Sequence, residues 1–294
     1  MKVGIIGAGS IAGTMAGTIR EMDCAQNYAV AARDYGRAAE FAQTYGFEKA
    51  YGSYEELVED AGVELVYIAT PHSHHYEHIK LCLNHGKHVL CEKSFTVNES
   101  QAREVLALAR EKKLLLTEAI WTRYMPMRKT LDSVLSSGVI GRPYMLTANL
   151  GYIISGKERI MRPELAGGAL LDVGIYPLNF ASMVFGDEVD SITGTAVMTE
   201  TGVDAQNSIT ITYKDGKMAA LCSSAMGLSD RRGIIYGDNG FIEVENINNC
   251  EGIRVYDRSR NMIASYDTPK QISGYEYEVE ACLRAIKEGA LECP

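Results

Sequence analysis

The sequence predicts an α/β fold in which a doubly wound parallel sheet is followed by an α+β domain with a large, mostly antiparallel open sheet. Short apolar runs alternate with helical patterns over residues 1–120, which is typical of parallel strands crossed by helices. A glycine-rich turn follows the first of these runs. After residue 120, alternating and β-branched runs dominate, as in antiparallel strands. We therefore expect two domains, residues 1–120 and 121–294.

The composition is that of an ordinary soluble protein. The chain has 294 residues, 46% of them hydrophobic and 23% charged, with a formal net charge of −9. An acidic chain without a basic run is expected to bind neither nucleic acid nor an anionic membrane. No run of about 18 consecutive apolar residues occurs, so we expect no membrane span. Seven scattered cysteines without a secretory leader favour a cytoplasmic location.

The elements of the two domains follow from local patterns. Ser53 followed by Glu56, and Asn98 followed by Gln101, are typical of helix N-caps. Six strands are expected in the first domain, at residues 2–6, 28–32, 50–51, 65–70, 88–91 and 114–117. Two helices and seven strands are expected in the second, the helices at 127–137 and 170–185 and the strands at 191–197, 208–213, 217–223, 233–236, 241–244, 253–256 and 262–264.

The segment Gly7-Ala8-Gly9-Ser10-Ile11-Ala12 follows the first predicted strand and opens a helix. Gly7 permits a tight turn, Gly9 lets the backbone approach a pyrophosphate, and Ala12 allows the helix to pack closely on the sheet. The N-terminus of the helix then faces the anion. These six residues are therefore expected to bind a dinucleotide in a Rossmann fold.

The end of the second predicted strand, Ala31-Ala32-Arg33-Asp34, decides which dinucleotide is preferred. An acidic residue there accepts bonds from the ribose hydroxyls of NAD, whereas a cation accommodates the 2′-phosphate of NADP. Because the guanidinium of Arg33 suits a phosphate, we expect NADP(H) to be preferred, with NAD(H) accepted less well. Asp34 leaves an alternative open, since it could cap the next helix or turn towards the ribose.

The carboxyl ends of the later strands present further polar residues, and ligands of open parallel sheets bind at these ends. Lys93 ends the fifth predicted strand and is a candidate catalytic residue. The residues expected to line the cofactor site at these ends are Thr70, Pro71, His72, His75, Glu92 and Lys93.

Residues 72–78 contain four of the six histidines, which invites a metal interpretation. Metal ligands must converge on one point. This segment instead turns through Pro71 and enters a helix in which only His74 and His78 share a face. We therefore expect no metal.

The candidate site is completed by four residues that lie beyond position 120 in the chain. Asp172 and Tyr176 lie four residues apart in a predicted helix, so a carboxylate and a phenol would share one face. The alternative is a buried helix with one satisfied aspartate. Trp121, the single tryptophan, and Arg123 stand at the domain junction and are candidates for contacting substrate, although junction aromatics often belong to the core.

In combination these segments resemble the Gfo/Idh/MocA oxidoreductases across nearly the whole chain, and residues 118–126 look more particularly like the branch of dihydrodiol dehydrogenases and NADP-dependent D-xylose dehydrogenases. By this likeness Lys93 is the catalytic lysine, Asp172 its supporting carboxylate and Tyr176 the proton-transferring group. The family's Glu-Lys-Pro is Glu92-Lys93-Ser94 here. The likeness rests on Gly7-Ala8-Gly9-Ser10-Ile11-Ala12, Thr70-Pro71-His72, Glu92-Lys93 and residues 167–176, in that order.

The resemblance implies reversible hydride transfer between a nicotinamide cofactor and a secondary alcohol or hemiacetal carbon of a sugar, polyol or trans-dihydrodiol. Two alternatives stay open: a redox-neutral, NAD-dependent glycoside hydrolase, and a non-enzymatic regulator that binds a dinucleotide or a sugar. A homodimer or higher homo-oligomer through the second sheet is expected, because helices cover only one of its faces. Relatives usually continue past residues 291–294, so we expect that a C-terminal segment is missing.

Overall fold

The structure is a computed structural model, and it describes residues 1–293. Contacts between residues divide the chain into two compact units. Unit 1 contains Met1–Trp121 and residues 271–293, and unit 2 contains Thr122–Lys270. The sequence-based division assigned residues 271–293 to the second domain, whereas the contacts group them with unit 1.

Unit 1 is built on a six-stranded parallel sheet, as the sequence predicts. The order of its strands is β3-β2-β1-β4-β5-β6, so the order reverses between β1 and β4. This is the strand order of the Rossmann fold, in which ligands bind outside the carboxyl ends at the reversal. The strands are β1 Lys2–Ile6, β2 Gln26–Ala31, β3 Lys49–Tyr51, β4 Leu65–Ile68, β5 His88–Glu92 and β6 Leu116–Ala119.

Five helices connect these strands, and their caps agree with the sequence-based predictions. Ser53 and Glu56 form a capping box in which each side chain accepts the other's backbone N–H. The Asn98 side chain accepts the N–H of Gln101 over 3.0 Å. The helices are α1 Ser10–Arg20, α2 Tyr35–Tyr45, α3 Tyr54–Glu59, α4 His72–Asn84 and α5 Glu99–Lys112.

Unit 2 contains an eight-stranded sheet in the order β14-β13-β12-β11-β7-β10-β9-β8. β7 and β10 are parallel, and the remaining neighbours are antiparallel, which confirms the predicted fold class. The strands are β7 Pro143–Gly151, β8 Val189–Met198, β9 Asp204–Tyr213, β10 Met218–Ser224, β11 Gly233–Gly237, β12 Gly240–Glu245, β13 Gly252–Asp257 and β14 Met262–Asp267.

Two helices, α6 Pro126–Ser136 and α7 Ile175–Phe185, belong to unit 2, and a π-helical turn at Leu170–Gly174 leads directly into α7. By length and composition, Pro163–Phe185 could cross a bilayer, contrary to the sequence-based expectation that no segment qualifies. However, 61% of its apolar window is buried inside the fold. Phe180 of α7, for example, is only 2% exposed. This burial is typical of the core helix of a globular domain.

The last helix, α8 Glu276–Glu288, returns to unit 1. Val279 and Cys282 on its buried face pack in one core with Ile5 of β1 and Leu90 of β5. This burial of apolar surface holds residues 271–293 to the parallel sheet.

Candidate active site

The glycine turn between β1 and α1 has room for a ligand. Gly7 has φ +104°, and a Cβ there would lie 2.8 Å from the carbonyl oxygen of Ala69, so only glycine fits. Gly9 caps α1 without a side-chain hydrogen bond, and a Cβ on Gly9 would meet no heavy atom within 4 Å. The open space therefore lies at the N-terminus of α1, where backbone N–H groups and the helix dipole favour an anion.

Two arginines lie near the amino-terminal part of α2. Asp34 is the N-cap of α2 and accepts the N–H of Arg37 over 2.8 Å, which favours the capping alternative over contact with a ribose. The Arg37 guanidinium donates to the carbonyl oxygen of Ala8 over 2.8 Å. Arg37 was not among the predicted site residues. The sequence does contain a signal for it, because an arginine follows the capping Asp34 by three residues.

Arg33 and Arg37 act on a common neighbour. Burial raises the pKa of Tyr54, and the positive charges of both arginines oppose that rise. Both guanidinium groups therefore lie close enough to the Tyr54 phenol to interact with it. Since both side chains are also exposed, two cations are available at this end of β2.

The segment after β4 leads into α4 through Thr70, Pro71 and His72. Pro71 is the N-cap of α4, and the His72 side chain is largely buried. The hydroxyl of Thr70 lies 3.0 Å from Nδ1 of His78. Burial is the main cause that lowers the pKa of His78 to about 4.

His75 connects the ends of β4 and β5. Its ring is fully buried, with Nδ1 2.8 Å from the carbonyl oxygen of Ser94 and Nε2 2.8 Å from that of Thr70. Burial is the main cause that lowers its pKa. Both ring nitrogens therefore face backbone carbonyl oxygens, and the predicted part of His75 in the cofactor site stays a prediction. His75 holds the two strand ends together.

Lys93 follows the last residue of β5 and is partly exposed. Its backbone N–H donates to Oε2 of Glu92 over 3.1 Å, and the hydroxyl of Tyr67 donates to Oε1 of the same carboxylate. The Lys93–Ser94 peptide bond is cis. Glu92 is 6% exposed, so its carboxylate accepts these hydrogen bonds at the end of β5 from inside the fold.

In unit 2, Asp172 lies in the π-helical turn and Tyr176 in the first turn of α7. Both side chains are largely buried, at 5% and 7% exposure. Oδ1 of Asp172 forms an ion pair with Nη1 of Arg159 over 2.8 Å, a partner that the sequence did not predict. π-helical turns occur frequently at functional sites.

Trp121 and Arg123, the two predicted substrate contacts, both interact with side chains of their own units. Trp121 is 7% exposed, and its ring stacks on Tyr275 with centroids 4.4 Å apart. Nε of Arg123 donates to Asn179 over 2.5 Å and Nη2 to Ser182 over 3.0 Å. Arg123 therefore ties the start of unit 2 to α7. The contacts of Trp121 and Arg123 with substrate stay a prediction.

The histidine-rich segment forms contacts other than a metal cage. His74 and His78 stack with centroids 5.8 Å apart. Within residues 1–293, no group of three or more histidine, cysteine, aspartate or glutamate side chains is placed to hold a metal ion.

Two family models match parts of the chain. Residues 1–120 match the model described as the oxidoreductase family with an NAD-binding Rossmann fold. Residues 129–243 match the GFO/IDH/MocA C-terminal domain.

Several solved structures share the fold. A 3-ketoreductase from Actinomadura kijaniata in complex with NADP and TDP-benzene superposes with a TM-score of 0.91 at 24% identity, covering 98% of this chain and 90% of that one. A levoglucosan dehydrogenase in complex with NADH gives 0.87 at 19% identity, covering 99% and 90%.

Relatives with higher identity include trans-1,2-dihydrobenzene-1,2-diol dehydrogenases. The Homo sapiens protein is 36% identical over 303 residues, covering 100% of this chain and 90% of the relative. The Mus musculus protein is 38% identical over 250 residues, covering 84% and 75%. With both domain models matched and full-length relatives above 30% identity, this chain belongs to the GFO/IDH/MocA family of NAD(P)-dependent oxidoreductases.

Proposed function

We propose that this oxidoreductase prefers NADP(H) and transfers a hydride between the nicotinamide and a secondary alcohol or hemiacetal carbon of a trans-dihydrodiol, sugar or polyol. The observation that carries the proposal is the open space over Gly9 at the uncapped start of α1. The names of the relatives, which are dihydrodiol dehydrogenases, support this substrate class.

The residues present suit a dinucleotide. The turn from Gly7 to Ala12 would hold the pyrophosphate through backbone N–H groups, and Arg33 and Arg37 would bind the 2′-phosphate. Thr70, Pro71, His72, Glu92 and Lys93 would form the remainder of the cofactor site, with His75 holding two strand ends. When bound, the nicotinamide ring accepts or supplies the hydride.

We assign the proton transfer to Tyr176. As hydride leaves the carbon, the substrate hydroxyl must lose its proton, and the Oη of Tyr176 accepts it. A phenol in water ionises near pH 10, about three units above neutral, so a positive charge must stabilise the tyrosinate. Lys93 is proposed as the catalytic lysine that donates to the substrate hydroxyl. Asp172, which is paired with Arg159, is proposed to orient the Tyr176 phenol.

A substrate panel tests this function. Purified protein is incubated with trans-dihydrodiols, aldoses and inositols, each with NADP and with NAD, and nicotinamide fluorescence is followed. We expect reduction of NADP with at least one diol or sugar. Failure to reduce either cofactor with any compound, despite dinucleotide binding, would contradict the proposal and favour a non-enzymatic regulator.

We further propose a homodimer formed by the open face of the unit 2 sheet. Leu146, Leu221 and Ile235 point to the covered face and are buried. Apolar, small and aromatic side chains alternate with them and stand on the other face, together with the charged Glu243 and Arg254. The Phe241 and Tyr256 rings stack there with centroids 4.5 Å apart. The uncharged outward residues include Met145, Thr147, Met218, Ala220, Ile234, Tyr236, Phe241 and Tyr256.

Light scattering tests the dimer. We expect twice the chain mass for the wild type and the chain mass for Ala220→Arg, because an arginine would place a charge in the centre of the face. A monomeric wild type at micromolar concentration would refute the dimer. A cytoplasmic location is also proposed, since all seven cysteines are free thiols.

A further inference from the structure

Glu278 places a carboxyl group in the apolar core of unit 1. It lies in the first turn of α8, its side chain has 0% exposure, and neither of its carboxyl oxygens has a hydrogen-bond partner. Val279 and Cys282, two further buried residues of the helix, pack with the core side chains of the parallel sheet. A carboxylate in this environment would lose its hydration without replacement. Glu278 therefore keeps its proton.

A second buried carboxyl group, Glu92, interacts electrostatically with Glu278. Glu92 receives hydrogen bonds from the Tyr67 hydroxyl and from the backbone N–H of Lys93. Two carboxylates in one low-dielectric site do not both ionise readily, and hydrogen-bond donors favour the charged form of the group that receives them. The hydrogen bonds to Glu92 therefore favour the negative charge of the pair on this residue.

The groups that face Glu278 are themselves acids. Tyr67 lies on β4, Glu92 on β5, Cys282 on α8 itself and Cys293 in the segment after α8. None of these four supplies a positive charge for a second carboxylate. Burial first, and then the charge of Glu92, raise the pKa of Glu278 well above its ordinary value. Burial first, and then the charges of Glu92 and Glu278, also raise the pKa of Tyr67.

We propose that Glu278 is a positioning residue for Lys93. Glu278 is a neutral acid that interacts with Glu92, and it leaves Glu92 as the one negative charge of the pair, which accepts the backbone N–H of Lys93. Loss of its proton to the solvent would set a second negative charge against Glu92. The hydrogen bonds from Tyr67 and Lys93 that fix the end of β5 would then weaken. The functional part of this inference rests on the role proposed above for Lys93.

Infrared spectroscopy tests the protonation directly. We expect the carbonyl stretch of a protonated carboxylic acid at neutral pH in the full-length wild type, its loss in Glu278→Gln, and its retention in Glu280→Gln, a matched change on the same helix. In Glu92→Gln the titration midpoint of this band should fall by about one pH unit or more, because the neighbouring charge is gone. Absence of the band at neutral pH, or a midpoint unmoved by Glu92→Gln, would overturn the inference.

The pH dependence of kcat/KM tests the link to Lys93. We expect the alkaline decline to move to higher pH in Glu278→Gln, which cannot ionise, and to stay in place in Glu280→Gln. A decline at the wild-type pH in Glu278→Gln would refute the positioning role, because a side chain that only fills space would give that result. If no substrate is turned over, the proposed function fails while the infrared titration still decides the state of Glu278. If Glu278→Gln does not fold, the titrations of the wild type and Glu92→Gln remain decisive.

Discussion

The guanidinium of Arg37 donates a hydrogen bond to the carbonyl oxygen of Ala8 over 2.8 Å. This contact links the first turn of α2 to the glycine turn after β1. Because Asp34 caps α2 through the N–H of Arg37, the helix start fixes the position of this arginine. Arg33, the cation predicted at the end of β2, therefore has a second cation, Arg37, near it.

We expect Arg33→Ala and Arg37→Ala each to raise the KM for NADP strongly and the KM for NAD little. A hydrogen bond to a charged group contributes about 1.5–3 kcal/mol, which corresponds to roughly 10- to 100-fold. Initial rates with both cofactors measure the effect, and Arg20→Ala, an exposed arginine at the end of α1, is the control. Equal changes for NAD and NADP would show that neither arginine discriminates between them.

Replacing Tyr176 by phenylalanine should lower turnover by about 100-fold or more, because the proton-accepting oxygen is lost. The affinity for NADP should stay near that of the wild type. Turnover is measured at saturating cofactor, and Tyr144→Phe on β7, an exposed tyrosine, makes the same chemical change as a control. Near-normal turnover of Tyr176→Phe would remove this residue from the mechanism.

The stability of the protein should depend on His78 at acid pH. Burial lowers the pKa of His78 from 6.5 to about 4, so between these values the unfolded chain binds a proton that the folded chain does not. The contribution of His78 is therefore complete above about pH 6.5 and is lost as the pH falls towards 4, by at most about 1.4 kcal/mol per pH unit.

Urea unfolding between pH 7 and pH 4 checks this sign. The free energy of unfolding should fall less steeply in His78→Gln than in the wild type, and His85→Gln, which alters an exposed histidine, should follow the wild type. Parallel curves for the wild type and His78→Gln would contradict the assigned pKa shift.

Local patterns were sufficient for the parts of the site that depend on the backbone. The apolar run before Gly7 and the helical pattern after it predicted the β1–α1 turn, and the structure opens a space over Gly9 there. The N-caps at Ser53 and Asn98 are also correct, because a cap is decided by residues three positions apart.

Features that depend on distant residues were not predictable in this way. α8 follows the whole of unit 2 in the chain but packs on β1 and β5. β7 was also not predicted, although its apolar Leu146, Ala148 and Leu150 alternate with polar residues and are buried. The ion pair of Asp172 with Arg159 and the stacking of Trp121 on Tyr275 likewise depend on how loops and helices fold back. Sequence patterns specify faces and ends of elements, whereas these contacts are set by tertiary packing.

Binding of NADPH to Gly9→Ala tests the central claim most directly. A Cβ at Gly9 meets no protein atom within 4 Å, so the variant should fold with wild-type thermal stability. If the pyrophosphate occupies that space, fluorescence titration should show saturable binding to the wild type and an affinity lower by about tenfold or more in Gly9→Ala. Equal affinity of the two proteins, or no binding to the wild type, would contradict the account.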